Sequence, residues 1–567
     1  MLKKIPLILI LIVVACNSAA QQFRSTPEAA KLEQVLRHIQ AFYVDEVDTE
    51  ALVQAAIRAM LNELDQYSVF NTVEETREMN EAMQGTRTWY GIGISFNMAT
   101  DTINIGEVIS GGPAHQVGLL PGDRIISVND TIVSGVQMNQ QEVVGRLRGP
   151  RGVPVNIQVL RRGVPELLNF RIVRDRIPYF SIDASYMVTD DIGYIRISRF
   201  AATTPREFRE AQQALKAQGM QHLILDLTDN TGGILQVAPE IAGEFLEANR
   251  LVVYMEGRAQ PRIMLHSTRG GNMLEGRVVV LVNESSASAS EILAGALQDW
   301  DRAVIVGRRT FGKGTVQRQI PLPDESMIRL TIARYYTPIG RSVQRLYDIG
   351  NLAAYNQDPV NLLLRGEFID NEEAQFPDSL KFTTLVNQRT VFGGGGITPD
   401  YFVPRDMTEA IRLHRELRSR GTILFTAVDE VDSNREELMR RFPDATAFQN
   451  NFRVPASMVN ELRSRIESEN VEWCDEEFAQ SSDFIFRELR TIMARQLYDS
   501  SASTQIWNEG NNIFQEGLRI ISDPERHENL LRGIGSNVGT RELIPPPAPP
   551  RVAEREPQVL HLIMDED

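Results

Sequence analysis

The sequence predicts a multidomain α/β protein, and three observations carry that reading. The chain has 567 residues, more than a single hydrophobic core usually organises. Residues 179–405 alternate apolar strand-like runs with amphipathic helices, the pattern of an α/β core. A strand-rich stretch at 85–178 precedes that core, and helix-period segments at 24–84 and 406–540 flank the two.

Composition excludes several classes. At 42% hydrophobic and 24% charged, the chain is an ordinary globular mixture. A formal net charge of −16 repels a phosphate backbone, so no nucleic acid partner is expected. No Cys/His cluster has zinc spacing and no HExxH occurs, so no metal site is expected either.

The N-terminus reads as an export signal over 1–20. Lys3 and Lys4 precede an almost wholly apolar run from Ile5 to Ala15, too short to span a bilayer. Two processing sites compete. Val13-Val14-Ala15-Cys16 resembles a bacterial lipobox, which would end the signal at residue 15 and lipidate Cys16; Ser18-Ala19-Ala20 offers a cut before Gln21. The lipobox is preferred. With Cys16 lost or lipidated, Cys474 is the other cysteine of the chain, and no internal disulfide is expected.

The remaining elements follow in order. In 24–84, Leu32, Val35, Leu36 and Ile39 fall at helical spacing, as do Leu52, Ala56, Met60 and Leu64, with a turn at Asp65-Gln66-Tyr67-Ser68. In 85–178, short runs at Gly91–Phe96, Ile103–Ile105 and Arg124–Val128 sit between glycine turns, and Val153–Leu160 alternates like a half-buried strand. In 179–405 the predicted strands are Gly193–Phe200, His222–Leu227, Arg277–Asn283, Ala303–Gly307 and Met327–Tyr336. The predicted helices are Pro205–Gln218, closed by Gly219, and Ala289–Trp300, with Ile292, Leu293, Ala296, Leu297 and Trp300 on one face. The tail at 541–567 contains the proline-rich run Pro545–Pro550.

Three segments carry candidate chemistry. Asn283–Glu291, with serines at 285, 286, 288 and 290, lies between a buried strand and an amphipathic helix. Unpaired N–H groups at that helix start would stabilise an oxyanion. Ser288-Ala289-Ser290-Glu291 also reads as a capping box, a purely structural role. Arg309–Gln317 follows the next strand and presents Lys313 between Gly312 and Gly314. A neutral lysine can serve a serine as base, and burial or nearby positive charge favours the neutral form. Asp226–Gly233 ends a strand where open α/β sheets place their sites, and Gly232-Gly233 can offer a backbone N–H.

Other chemistries fit less well. Gly307 and Gly312-Lys313 satisfy G-x-x-x-x-G-K, but Gly314 stands where a Ser/Thr ligand to magnesium belongs, and Thr315–Pro323 alternates like a strand. There is no G-x-S-x-G, and His222 and His266 sit in no suggestive context.

Together these segments resemble the C-terminal processing peptidases, or tail-specific proteases. The family's Ser-Ala-Ser-Ala-Ser-Glu stretch is matched at Ser286 to Glu291, and its Phe-Gly-Lys-Gly-Thr-Val-Gln at Phe311 to Gln317. The family interval of 25 residues from serine to lysine selects Ser288 with Lys313. Tyr335–Ser342 and Gly396–Asp400 also resemble family signatures. Two positions depart: Thr228 stands where arginine is usual, and Gln66 where proline is. The first bears on support of the oxyanion loop.

The resemblance implies a crotonase/ClpP-like α/β peptidase core with an inserted PDZ domain at 85–178. Its carboxylate-binding loop would be Tyr90-Gly91-Ile92-Gly93-Ile94, onto which a substrate tail adds as a strand. It implies Ser288 as nucleophile, Lys313 as base, Gln317 as the residue orienting Lys313, and N–H groups of Ala289 and of Gly232 or Gly233 as the oxyanion hole. No cofactor is implied. The expected partners are proteins or peptides with flexible C-terminal tails, with the membrane reached through a lipid anchor alone; the chain is compatible with a homo-oligomer. An exported, periplasmic location follows from the signal. The competing reading is a catalytically inactive PDZ-bearing scaffold, and an active-site serine probe separates the two.

Overall fold

A computed structural model describes residues 26–83, 90–98, 102–109, 111–177, 180–268, 270–345 and 378–538. The signal segment with Cys16, and the tail from 539 on, lie outside the described residues. Contacts divide the chain into two compact units.

The smaller unit holds the described residues up to Arg77 together with Gln317–Ile332. Helices Pro27–Phe42 and Thr49–Asn62 start on Thr26 and Asp48, whose side chains accept the Ala29 and Ala51 N–H groups. A strand at Val69–Asn71, inside the stretch expected to be helical, pairs with Met327–Arg329. The turn before it survives the loss of proline at Gln66. The Asp65 carboxylate does the work, accepting from the N–H groups of Tyr67 (2.7 Å) and Ser68 (2.8 Å).

In the larger unit, 90–177 forms a small barrel-like module. Strands Ile94–Asn97, Ile103–Val108, Arg124–Val128, Pro154–Leu160 and Leu168–Val173 pair in the order given, with helix Gln140–Leu147 alongside. Alternate strand positions, such as Ile103, Ile105, Val155, Ile157 and Val159, fill an apolar core. The strand Ile94–Asn97 is an edge strand among the described residues.

The α/β core is a six-stranded sheet: β1 (Ile182–Met187), β2 (Ile192–Ile197), β3 (His222–Asp226), β4 (Val278–Val282), β5 (Val304–Gly307) and β6 (Tyr401–Phe402), adjacent in chain order. β1 is antiparallel to β2, and all other pairs are parallel. Every residue of β4 and β5 is buried, as expected for parallel strands covered on both faces. Helices α1 (Thr204–Ala217) and α2 (Ala289–Asp299) are the crossovers after β2 and β4.

The region beyond 406 is helical, as expected, yet it is not a detached appendage. Ile513, Phe514, Ile520 and Ile521 of α3 (Asn512–Ser522) pack on Ile224, Val279, Leu281, Val304 and Val306. The core sheet is therefore closed by the end of the chain. Helices between 412 and 508 hold a second apolar cluster of their own.

Candidate active site

The parallel strands end where the three chemical segments begin. β3 runs into Leu227–Gly233, β4 into Asn283–Ser288, and β5 into Arg308–Gly314. Such convergence at strand C-termini is how α/β sheets build sites.

The three central serines are not equivalent. Ser286 is fully buried and donates to the Leu227 carbonyl (2.7 Å); Ser290 is fully buried and donates to the Asn230 carbonyl (2.9 Å). The first ties the β3 loop to the β4 loop, and the second ties it to the first turn of α2 (Ala289–Asp299). Ser288 is half-buried and has φ +57° with ψ −113°. A non-glycine residue in that conformation is strained and is held by its surroundings. It stands at the N-terminus of α2, beside the Ala289 N–H.

Gly232 presses against this point, whereas Gly233 abuts the Phe200 backbone. A Cβ on Gly232 would lie 2.7 Å from both the Ser288 Cβ and the Ala287 carbonyl, at φ +96°. The Gly232 N–H donates to Asn230 Oδ1 (2.8 Å). Of the two glycines, Gly233 is thus the one whose N–H makes no hydrogen bond among the described residues. The loop is supported without an arginine at 228. Thr228 donates through N–H and hydroxyl to Asp226 Oδ1 (both 2.7 Å), and Asp229 and Asn283 exchange hydrogen bonds of 3.0 and 2.8 Å.

Glu291, read from sequence as a helix cap, joins the two motifs. Its Oε2 accepts from the N–H groups of Ser288 (2.8 Å) and Lys313 (2.9 Å). Its Oε1 accepts from the Gly312 N–H (2.8 Å) and the Thr310 hydroxyl (2.6 Å). The carboxyl is fully buried. Burial pushes it up to about 7, against the pull of these four donors. From the other side, the buried Tyr335 hydroxyl donates to the carbonyls of Ser288 (3.2 Å) and Lys313. One carboxylate and one phenol thus hold both the N–H and the C=O of Ser288 and of Lys313. Neither role was legible locally. The four-residue match S-x-x-E was the signal for Glu291, and it supports a cap equally well.

The glycines flanking Lys313 are required by close backbone approach. A Cβ on Gly314 would lie 2.6 Å from the Gln344 nitrogen, and one on Gly312 would lie 2.9 Å from the Arg345 Cβ at φ +87°. The other signature segments are supports. Arg341 forms a fully buried ion pair with Asp299 at the end of α2. Asp400 accepts from Gln298 (2.8 Å) and the Ile305 N–H (2.7 Å).

Gln317 belongs to the smaller unit. There its Nε2 donates to Thr331 Oγ1 (3.2 Å), and the Thr331 hydroxyl donates to Asp65 (3.2 Å). The remaining predicted residues line a separate groove. Gly91, Ile92, Gly93 and Ile94, with Val144, Leu147 and Arg148 of the facing helix and its end, border a cavity of about 420 Å³. The Ile92 and Gly93 carbonyls accept from Ala114 (2.7 Å) and Ile109 (2.9 Å), fixing the loop. Tyr90 pairs with Arg176 at its base.

The nucleotide and triad readings fail on geometry. Lys313 is followed by the strand Thr315–Pro321 rather than a helix. His222 starts β3, at the opposite end of the strand from the Gly232 loop, and its Nδ1 accepts the Arg277 N–H (3.1 Å).

This fold and site define a serine-type peptidase carrying a PDZ domain. The model of peptidase family S41 matches residues 191–349, the PDZ model 91–172, and the N-terminal domain of the activating protease CtpB 13–75. A family of unknown function, DUF8443, matches 413–499. The chain is 32% identical over 427 residues to a carboxy-terminal-processing protease of Bartonella bacilliformis, covering 74% of this chain and 94% of that one. It is 34% identical over 318 residues to the carboxy-terminal processing protease CtpB of Bacillus subtilis, covering 56% and 65%. Among solved structures it is similar to a photosystem II D1 C-terminal processing protease at 26% identity, covering 56% and 91%, with a TM-score of 0.33. The chain belongs to the C-terminal processing proteases of peptidase family S41.

Proposed function

We propose that this peptidase cleaves proteins at or near their C-terminal tails, with Ser288 as nucleophile and Lys313 as its base. The observation that carries this reading is the shared clamp: Glu291 and Tyr335 bind the backbone of both residues. Neutral Lys313 takes the Ser288 hydroxyl proton as the oxygen attacks the scissile carbonyl. The oxyanion is met by the N–H groups of Ala289 and Gly233, with Gly232 holding the loop against Ser288. The lysinium returns its proton to the leaving amine. Water then attacks the acyl-enzyme, giving its proton to Lys313, and Ser288 recovers the proton as the acid product leaves. Gln317, four residues after the base, orients it. No cofactor enters any step.

The groove at Gly91–Ile94 is proposed to hold the substrate's terminal carboxylate, its tail adding to the edge strand Ile94–Asn97. The test is cleavage of a protein bearing a flexible apolar tail, with products read by mass spectrometry. The intact chain should release tail fragments and Ser288→Ala none; equal products from both would remove Ser288 from the mechanism. Export to the periplasm with a lipid on Cys16 rests on Val13–Cys16. A homo-oligomer is favoured by helix Pro27–Phe42, which buries no residue and exposes Leu32, Val35 and Phe42. Sedimentation showing only monomer at all concentrations would refute it.

A further inference from the structure

A second cavity, of about 420 Å³, lies where the C-terminal helices roof the ends of β2 to β5. It is distinct from both the Ser288 region and the groove at Gly91. One wall is formed by the backs of the loops that carry the site, at Thr228-Asp229 and Asn283-Glu284. Thr228 leaves space there, because its short side chain turns to Asp226.

Arg487 also lines the cavity. Its guanidinium lies over the faces of Phe484 (4.6 Å) and Trp507 (5.2 Å). Gly510 lies close against the Arg487 guanidinium, which a Cβ there would displace. The two rings and Gly510 thus flank the group. Its Nε is buried and makes no hydrogen bond, and the side chain has no ion pair, among the described residues. Arg196, near the end of β2, also lines the cavity and has a buried Nε without a hydrogen bond; it pairs loosely with Asp229 at 3.7 Å. Burial lowers the proton affinity of Arg487, so its charged form bears a desolvation cost that a bound anion would relieve.

Asp406 of the lining, with Glu488, Asp483 and Glu509, acts on Arg487 through space and offsets part of that cost, but none of them is ion-paired to it among the described residues. Glu284 is shared by Arg308 (2.6 Å) and Arg405 (3.4 Å). In all, five arginines face four carboxylates. A guanidinium stacked on aromatic rings at the lining of a cavity is a preorganised receptor for a carboxylate or phosphate oxygen. The volume falls within the range of about 300–1,000 Å³ usual for small-molecule sites.

We infer that this cavity is a binding site for a small oxyanion-bearing molecule, a carboxylate or phosphate compound whose charged group rests on Arg487 and Arg196. Its position behind the Asp229 and Asn283 loops gives such a ligand direct access to the supports of the oxyanion loop.

Trp507 supplies the readout, since it stacks on Arg487. Inorganic phosphate and sodium acetate are titrated separately into the Ser288→Ala chain at constant ionic strength, following tryptophan fluorescence. A saturable change with either probe is expected, absent in Trp507→Phe, and the stronger probe identifies the oxyanion class. Arg487→Met and Arg196→Met should each raise the midpoint tenfold or more. Arg487→Lys should also weaken binding, because an ammonium cannot present the guanidinium fork. If Arg487→Met does not fold, Arg196→Met and Arg487→Lys carry the comparison. No saturable change with either probe, or a midpoint unmoved by the arginine substitutions, overturns the inference.

Discussion

Replacing Glu291 by glutamine tests the clamp in both stability and catalysis. The side chains are nearly isosteric, but glutamine keeps one acceptor oxygen. In the wild type, Oε2 serves two backbone N–H groups that cannot turn, those of Ser288 and Lys313. Oε1 serves the Gly312 N–H and the Thr310 hydroxyl, which can rotate. The amide oxygen should therefore face Ser288 and Lys313, leaving the Gly312 N–H opposite an NH₂ group. An orphaned buried donor costs about 1–3 kcal/mol. Ionisation works the other way. The wild-type carboxyl is raised from 4.5 to about 7 by burial. Between those pH values the folded protein binds a proton that the unfolded chain does not. Stability is therefore gained as pH falls from 7 to 4.5 and lost as it rises, by about 3 kcal/mol in all. Glutamine cannot titrate. Urea unfolding of both forms, on the Ser288→Ala background to prevent self-cleavage, should show wild type losing its advantage as pH rises through this window. A stability difference that stays flat across the window would refute the argument. In the active background, kcat should fall about 10–100-fold with KM little changed, since the perturbation loosens the Gly312–Lys313 backbone without touching the tail groove.

Four further outcomes are expected. Ser288→Ala and Lys313→Ala should each remove nearly all turnover and the double variant little more, because the two act as a unit; Lys313→Arg should fail as well, since guanidinium keeps its proton. Activity should fall as pH is lowered and Lys313 is protonated, with the midpoint unchanged in His222→Asn and His266→Asn; a shifted midpoint would give a histidine the base role. If the groove at Gly91–Gly93 takes the terminal carboxylate as proposed, amidating a substrate's C-terminus should slow cleavage, and equal rates for free and amidated tails would exclude that groove. Cys16→Ser should move the protein from the membrane to the soluble fraction, whereas a mature N-terminus at Gln21 would establish the ordinary signal instead.

Much of the fold was legible because its determinants are local. Apolar runs at His222–Leu227, Arg277–Asn283 and Ala303–Gly307 became β3, β4 and β5 with no end shifted by more than one residue. The helix face at Ile292, Leu293, Ala296 and Leu297 became the buried α2. Glycines around Lys313 announced a backbone without room for side chains, and the Gln344 and Arg345 backbone is what fills that room. The spacing of Ser288 and Lys313 was readable as a motif. The strand Val69–Asn71 was not, since its three residues acquire strand character from pairing with Met327–Arg329.

Tertiary structure decided what depends on partners distant in the chain. Gly232 and Gly233 are alike in sequence, but the Asn230 side chain takes up the Gly232 N–H. The serines at 286, 288 and 290 are chemically alike, but contacts to Leu227 and Asn230 engage two of them in structure. Glu291 satisfies a capping pattern wherever it sits; only the fold brings Thr310, Gly312 and Lys313 to its free lone pairs. Arg196 and Arg487 belong to segments with no periodic relation, and face one cavity because the final helices close the sheet. Propensity, periodicity and glycine freedom act over a few residues and can be read in order. A buried charge is defined by what surrounds it in space, and that is set by the whole fold.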